Sequence, residues 1–295
     1  MKSTAITAAL LVSVFQYAQA EPVFMPQAAS VLKGHQAQTG VGGQFGYQSY
    51  ELEGAPGTVY KNRVWQIPVF ARVGLMDDAE AKLMVPIVHA IDSKEGSSGY
   101  HNEDGGLGNM QVGAKWNFLK GMIPVAAALD LDLPTANSKN NPGSLGERYS
   151  NQLQQGFNTH LQLIADSPLM ADRVTGHVAV GYMNTATYTT SFKSQFNPSD
   201  LMTFGASVDV RLHAVMEGLS SSLELVGNTA LNHSKTNGSM NGNDKGTVLE
   251  IGPALRYQHN AMGTYAGFLA DAGKSTFRAY NYRVNFGVSY LFGAH

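Results

Sequence analysis

The chain has 295 residues, a formal net charge of −2 and only 14% charged residues, a balance too close to neutral to imply a nucleic-acid partner. It contains 32 Gly, 13 Tyr and 13 Phe but 0 Cys, so no disulfide holds it and stability must come from burial and backbone pairing. Beyond the N-terminal stretch no run supplies the roughly 20 consecutive apolar residues of a spanning helix, which excludes a helical membrane protein.

The chain opens with Lys2, an apolar stretch from Ala5 to Phe15 and the small-residue site Ala18-Gln19-Ala20. That order of features reads as a secretory signal peptide over residues 1–20, and the mature chain is expected to start at Glu21 in a bacterial envelope. Residues 21–37 follow as an N-terminal periplasmic segment or a lumen plug, with Phe24 and Met25 as apolar anchors. Residues 38–295 form the remaining domain.

From residue 38 the sequence divides into about twelve extended segments of roughly 9 to 11 residues, the length of a tilted membrane strand. The first, TGVGGQFGYQSY, is Gly-rich. In RVWQIPVFARVG, Trp65, Ile67, Val69 and Val73 oppose Gln66, Pro68 and Arg72, whereas AKLMVPIVHAI is apolar on both faces and fits a buried strand equally well. NMQVGAKWNF sets Met110, Val112, Trp116 and Phe118 against Asn109, Gln111, Lys115 and Asn117. VAAALDLDLP sets its leucines against Asp130 and Asp132.

The alternation continues to the C-terminus. His160 and His177 occupy the polar faces of GFNTHLQLIA and RVTGHVAVGYM, and Asp209 and Arg211 that of LMTFGASVDVRL. Glu224 does so in LSSSLELVG, Glu250 and Arg256 in TVLEIGPALRYQ, and Arg283 in YNYRVNFGVSYLF; TYAGFLAD is short and ambiguous. The connections alternate between short stretches (MDDAE, LKGM, DSPLMAD, AVMEG, HNAMG) and longer Gly-, Ser- and Asn-rich ones, the pattern of short periplasmic turns and longer outer loops.

A soluble sandwich would bury the apolar faces, and a barrel would turn them to lipid. A Lys or Arg on the lipid face near the bilayer midplane costs about 2 to 4 kcal/mol, so exposing Lys115, Arg211, Arg256 and Arg283 there would consume most of a domain's usual stability, about 5 to 15 kcal/mol. The polar faces therefore point away from lipid, and the Tyr and Phe residues near strand ends suit a membrane interface. The fold expected is all-β, a transmembrane antiparallel up-and-down β-barrel of about 12 strands of the bacterial outer-membrane type, with a periplasmic sandwich as the alternative.

The run DGGLGNMQVGAKWNFL at 104–119, the following ALDLDLPTA at 128–136 and a last strand ending GVSYLF resemble the outer-membrane family named for the MetA pathway of phenol degradation and described as transporter-like. The resemblance covers most of the mature chain in layout and Asp104 to Ala136 in motif. Asn109 stands where that family usually has Asp, Ala136 where Gly often follows Pro-Thr, and Gly293-Ala294-His295 extend past Phe292. The resemblance implies a barrel that passes small, often aromatic or hydrophobic compounds.

The candidate lumen residues are Lys115, Asp130, Asp132, His160, His177, Asp209, Arg211, Glu224, Glu250, Arg256 and Arg283. They read either as a selecting constriction or as ion pairs that fill and stiffen a narrow barrel. Asp130 and Asp132 have no nucleophile beside them for acid–base work, and two histidines without a third ligand are weak evidence for a metal. His89 shares an apolar face with Leu83, Val85, Ile87 and Ile91, as in a lipid hydrolase, yet no Ser stands two residues away to be activated. The reading is a non-enzymatic outer-membrane channel without cofactor or metal, whose partners are outer-membrane lipid, the outer-membrane assembly machinery and a small-molecule solute. The alternatives are an adhesin-like surface barrel with a closed lumen and a lipid hydrolase.

Overall fold

The structure is a computed structural model that describes residues 28–51, 58–95, 99–136, 157–170, 173–189, 195–240, 246–273 and 281–293. Its first half comprises β1 (Ala37–Glu51), β2 (Val59–Met76), β3 (Ala79–Glu95), β4 (Tyr100–Leu107), β5 (Met110–Leu119), β6 (Val125–Leu133), β7 (Asn158–Met170) and β8 (Val174–Thr185). After the short β9 (Tyr188–Thr189) and β10 (Gln195–Asn197) come β11 (Leu201–Arg211) and β12 (Leu219–Ala230). The short β13 (Lys235–Thr236) and β14 (Ser239–Met240) precede β15 (Thr247–His259), β16 (Met262–Asp271) and β17 (Tyr282–Phe292).

Thirteen of these strands form one antiparallel sheet, and the sheet closes because β2 pairs with both β1 and β3. β4 and β5 share one position: β4 pairs with β3 from Ile87 to Lys94, and β5 pairs with β3 from Ala79 to Met84. They make a single interrupted stave, so the barrel has twelve staves, as the sequence led us to expect. The sequence reads as a long connection over 92–105, DSKEGSSGYHNEDG, because it is rich in Gly, Ser and acidic residues, and Tyr100–Leu107 overlaps its second half. Here that segment is a strand, because β3 runs on to Glu95 and offers it a ladder, and strand preference yields to such pairing.

The interruption brings the stretches 104–119 and 128–136 into contact. At the break, Gly108 N donates to Pro86 O at 2.8 Å and Met110 N donates to Thr135 Oγ1 at 2.7 Å. Asn109 is buried, and its Oδ1 accepts from Ala136 N at 3.1 Å. Side chains from one stretch thus satisfy backbone groups freed in the other.

The faces fall as the energetics require. Trp116 is 55% exposed on the outside of the barrel and the neighbouring Lys115 is 3% exposed on the inside. Trp65, Ile67, Leu163, Val180 and Phe286 continue the outer apolar surface, while Asp130, Asp132, Glu224 and Glu250 are buried within. Aromatic side chains gather in two belts. Near the long-loop end, Phe45 lies 4.3 Å from Trp65 and Tyr282 lies 5.3 Å from Tyr47. Near the short-turn end, Trp116 pairs with Phe118 at 5.7 Å and Tyr290 with Phe292 at 4.7 Å. Such girdles place amphipathic rings at both interfaces of a bilayer.

The short turns share one end of the barrel with the entry of β1 and the exit of β17, where Ala37 pairs with Phe292. Met76, Met122, Met170, Met216 and Met262 stand exposed in or beside these turns. Beyond the opposite rim, β9, β10, β13 and β14 form a small separate sheet out of two of the long connections.

Leu163 sits midway along β7 on the outer face, paired with Val180 and Ala127. Leu163→Arg is expected to lower the stability of the vesicle-inserted barrel by about 2 to 4 kcal/mol, and Leu163→Phe to leave it nearly unchanged, as read from urea unfolding in lipid vesicles.

Candidate functional site

The candidate site is the barrel lumen. Every inner position named from the sequence faces inward, and most are joined in short polar networks. Arg72 grips Glu80 through two nitrogens, with Nη2 2.7 Å from Oε1 and Nε 3.2 Å from the same oxygen, and Lys115 Nζ stands 3.2 Å from Glu80 on its other side. Lys82 reaches across β5 to Asp130 at 2.9 Å. It can do so because Gly113 lies between them: a Cβ there would fall 2.1 Å from Asp130 Oδ1 and 2.7 Å from Lys82 Cε.

Farther round, the ring nitrogens of His177 each face a carboxylate, Asp166 Oδ1 and Asp209 Oδ2, both at 2.7 Å. Ser222 Oγ donates to Glu224 at 2.9 Å, and Arg283 is clamped to Glu250 through two nitrogens. Arg211 and Arg256 flank Ser220 in one row across β11, β12 and β15. Asp130 and Asp132 diverge, for Asp132 accepts from Gln111 Nε2 at 2.9 Å and Asn158 Nδ2 at 3.2 Å while Asp130 meets Lys82. Pairing of this kind keeps buried charges tolerable, and opposite charges closely spaced in a wet lumen also set the field a solute meets.

The described part of the N-terminal segment enters this lumen from the short-turn end. Ala28 and Ala29 are fully buried, and Ala29 packs on Ala126, Ala128 and Ile164 of the inner wall. Ala29 N donates to Asp166 Oδ2 at 2.9 Å, and Leu32 N donates to Glu80 Oε2 at 2.8 Å. Lys115 Nζ donates to Ala28 O at 3.0 Å, and Asn117 Nδ2 donates to Ala29 O at 3.1 Å. The anchors named from the sequence, Phe24 and Met25, lie outside the described residues.

Toward the long-loop end a cavity of about 220 Å³ opens, lined among others by His160, Gln162, Thr203, Asn228, Glu250 and Arg283. His160 Nε2 is 2.8 Å from Thr203 Oγ1, and its ring also meets Gln162. The sequence put His160 and His177 together in the lumen on adjacent strands. They do lie on β7 and β8, but His160 is level with Met183 and His177 with Asp166, so the two rings stand at different heights and share no ligand position. Among the described residues no group of three or more His, Asp or Glu is arranged to hold a metal. His89 faces outward beside Trp65 and pairs with Glu103 at 3.3 Å.

Glu80, Lys82 and Asp166 were not singled out from the sequence, though all are central here. Glu80 and Asp166 were read as parts of the short turns MDDAE and DSPLMAD, whereas β3 and β7 extend through them. Lys82 stood in a segment that looked apolar on both faces. The signal that could have found them is the period of two itself, extended past the apparent strand ends: Glu80, Lys82 and Met84 share one face of β3, and Gln162, Ile164 and Asp166 one face of β7.

The chain matches no protein-family model and no curated protein. Among solved structures it is similar to an outer membrane channel from Pseudomonas putida F1, with a TM-score of 0.70 and 11% identity over 90% of this chain and 98% of that one. The translocator domain of autotransporter NalP from Neisseria meningitidis aligns with a TM-score of 0.53 and 11% identity, over 86% of this chain and 88% of that one. The β domain of the Bordetella autotransporter BrkA does so at 0.50 and 12%, over 87% and 100%. At these identities the likeness is one of fold: a closed twelve-strand outer-membrane type barrel.

Removing the carboxylate between two buried cations is the severest single change available to this lumen. Glu80→Ala is expected to destabilise the barrel by about 3 to 5 kcal/mol, as measured by urea unfolding of the vesicle-inserted chain, and Glu80→Gln to cost less because it keeps a hydrogen-bonding group in place.

Proposed function

We propose that the protein is an outer-membrane channel for passive passage of small solutes. The observation that carries this reading is the combination of a closed barrel, a polar inner face with a cavity of about 220 Å³, and an N-terminal segment held in that lumen mainly by single hydrogen bonds. A segment held this way is releasable: each such bond contributes only about 0.5 to 1.5 kcal/mol net, and among the described residues its apolar packing is the small Ala29 cluster.

On this reading residues 1–20 direct export, the assembly machinery of the outer membrane inserts residues 38–295, and residues 21–37 obstruct the lumen. The short turns, the entry of β1 and the exit of β17 face the periplasm, and the long loops face outward. Solutes cross by diffusion, with Lys82–Asp130, Glu250–Arg283 and the rows around Arg211 and Arg256 setting the field along the way. The channel fold shared with the Pseudomonas putida protein supports passage as such, and the resemblance to the family named for phenol degradation alone favours small aromatic or hydrophobic compounds as the solutes. A second reading has one observation behind it: the sheet of β9, β10, β13 and β14 above the rim is a platform on which an adhesin-like barrel with a closed lumen would bind a partner.

Ala29→Asp separates the two. It sets a carboxylate against Asp166 and the Ala126, Ala128 and Ile164 cluster, and so expels the segment while leaving the barrel wall untouched. Single-channel recording in planar bilayers is expected to show conductance several-fold above that of the unsubstituted chain. An inserted, heat-modifiable but silent Ala29→Asp barrel would sink the channel reading and move attention to the outer sheet.

A further inference from the structure

The lumen wall differs on its two sides. The N-terminal segment and the charged networks occupy the side built by β3, β5, β6, β7, β8, β11 and β12, where Glu80, Lys115, Asp130, Asp166, His177 and Glu224 point inward. On β16, β17 and β1 the inward positions include Gly263, Gly267, Gly287, Gly40, Gly42 and Gly46. Below Arg283, the inward positions of these three strands carry no acid or base other than the phenol of Tyr265.

Two aromatic rings lie in the space the glycines leave. Tyr265, Gly287 and Gly42 occupy one row across three adjacent strands, since Tyr265 pairs with Gly287 and Gly287 with Gly42. A Cβ on Gly287 would stand 2.5 Å from Tyr265 Oη and 2.6 Å from its Cζ, and one on Gly42 would stand 2.7 Å from the same Oη. The phenol is therefore laid sideways along the wall, over both glycines. Phe70 does the same one row nearer the short turns, where a Cβ on Gly40 would meet its Cζ at 2.5 Å.

We infer that uncharged solutes cross the barrel along the glycine wall of β16, β17 and β1, and that Tyr265, parked against Gly287 and Gly42, sets the width of that path. This rests on the channel reading above. The physical basis is threefold. A wall of glycine leaves volume that any other residue would fill. These three strands give an ion no fixed counter-charge below Arg283 to replace its water, the nearest cation being Arg256 of β15, level with Tyr265. On the opposite wall Glu80, Lys82, Lys115, Asp130 and Asp166 are engaged with one another, with Arg72 and His177, or with the N-terminal segment. Any side chain at Gly42 or Gly287 pushes the ring off the wall into the lumen, because separations below 3 Å cannot be absorbed by backbone on the lipid side.

The test uses the full chain carrying Ala29→Asp, in which the N-terminal segment is displaced, and reads liposome swelling with arabinose and with gluconate, a neutral and an anionic probe of similar size, beside single-channel conductance. Tyr265→Ala is expected to raise arabinose uptake several-fold, and Gly42→Val to lower it several-fold. Gly42→Val placed on top of Tyr265→Ala should have no further effect, since the ring it would displace is gone. Tyr265→Phe should behave like the parent, and the pair Tyr265→Ala and Tyr265→Phe decides the matter alone if Gly42→Val does not insert. Equal arabinose uptake in all variants of a conducting parent would overturn the assignment of Tyr265 and leave the channel intact. Gluconate entering as fast as arabinose would overturn the neutral path, and a silent parent would overturn the channel and this inference together.

Discussion

Hydrocarbon offers no partner to a peptide N–H or C=O, and each one left unpaired there costs several kcal/mol. This constraint organises the whole molecule. It forbids an open sheet edge, so β2 must pair on both sides and close the ring. It makes the interrupted stave acceptable only because Asn109 and Thr135 take over backbone groups that the ladder drops. The same solvent expels charge from the outer face, so Lys115, Asp130, Asp209, Glu224 and Glu250 are driven inward and buried.

Once inside, those groups must find one another. Arg72, Glu80 and Lys115 touch because they stand on the three adjacent strands β2, β3 and β5, and Lys82 spans β5 to reach Asp130 in the same row. The result is a lumen stiffened on one side by paired charges. The N-terminal segment exploits that side: Asp166 turns one oxygen to His177 and the other to Ala29 N–H, and Glu80 Oε2 accepts from both Arg72 and Leu32 N–H. The other side is left to glycine and to the two rings laid upon it. Obstruction and path therefore belong to opposite walls of the same barrel.

Much of this was legible beforehand. In NMQVGAKWNF the strict alternation, with Lys115 between Ala114 and Trp116, already required a wet face and a lipid face; the division into extended segments gave about twelve strands, and the alternation of loop lengths which end carries the short turns. The segment Tyr100–Leu107 misled because its composition is that of a loop, and only the extension of β3 beside it makes it a strand. Glu80 and Asp166 misled because they fall within the acidic stretches MDDAE and DSPLMAD, which look like turns until β3 and β7 are seen to continue through them. His160 and His177 share a period and a lumen, but their heights depend on the β7–β8 register, which a list of faces does not contain.

The sequence by itself determined the period of two, the sign of most faces and a count of about twelve strands, because these follow from local alternation and from what a bilayer refuses. It also marked residues 21–37 as something apart from the barrel. Only the tertiary structure decided who meets whom: that Glu80 sits between Arg72 and Lys115, that Ala29 rests on Asp166, and that Tyr265 lies over Gly287 and Gly42. The reason is that strand register and closure set contacts across strands distant in sequence, and a shift by two residues would preserve every face while changing every partner.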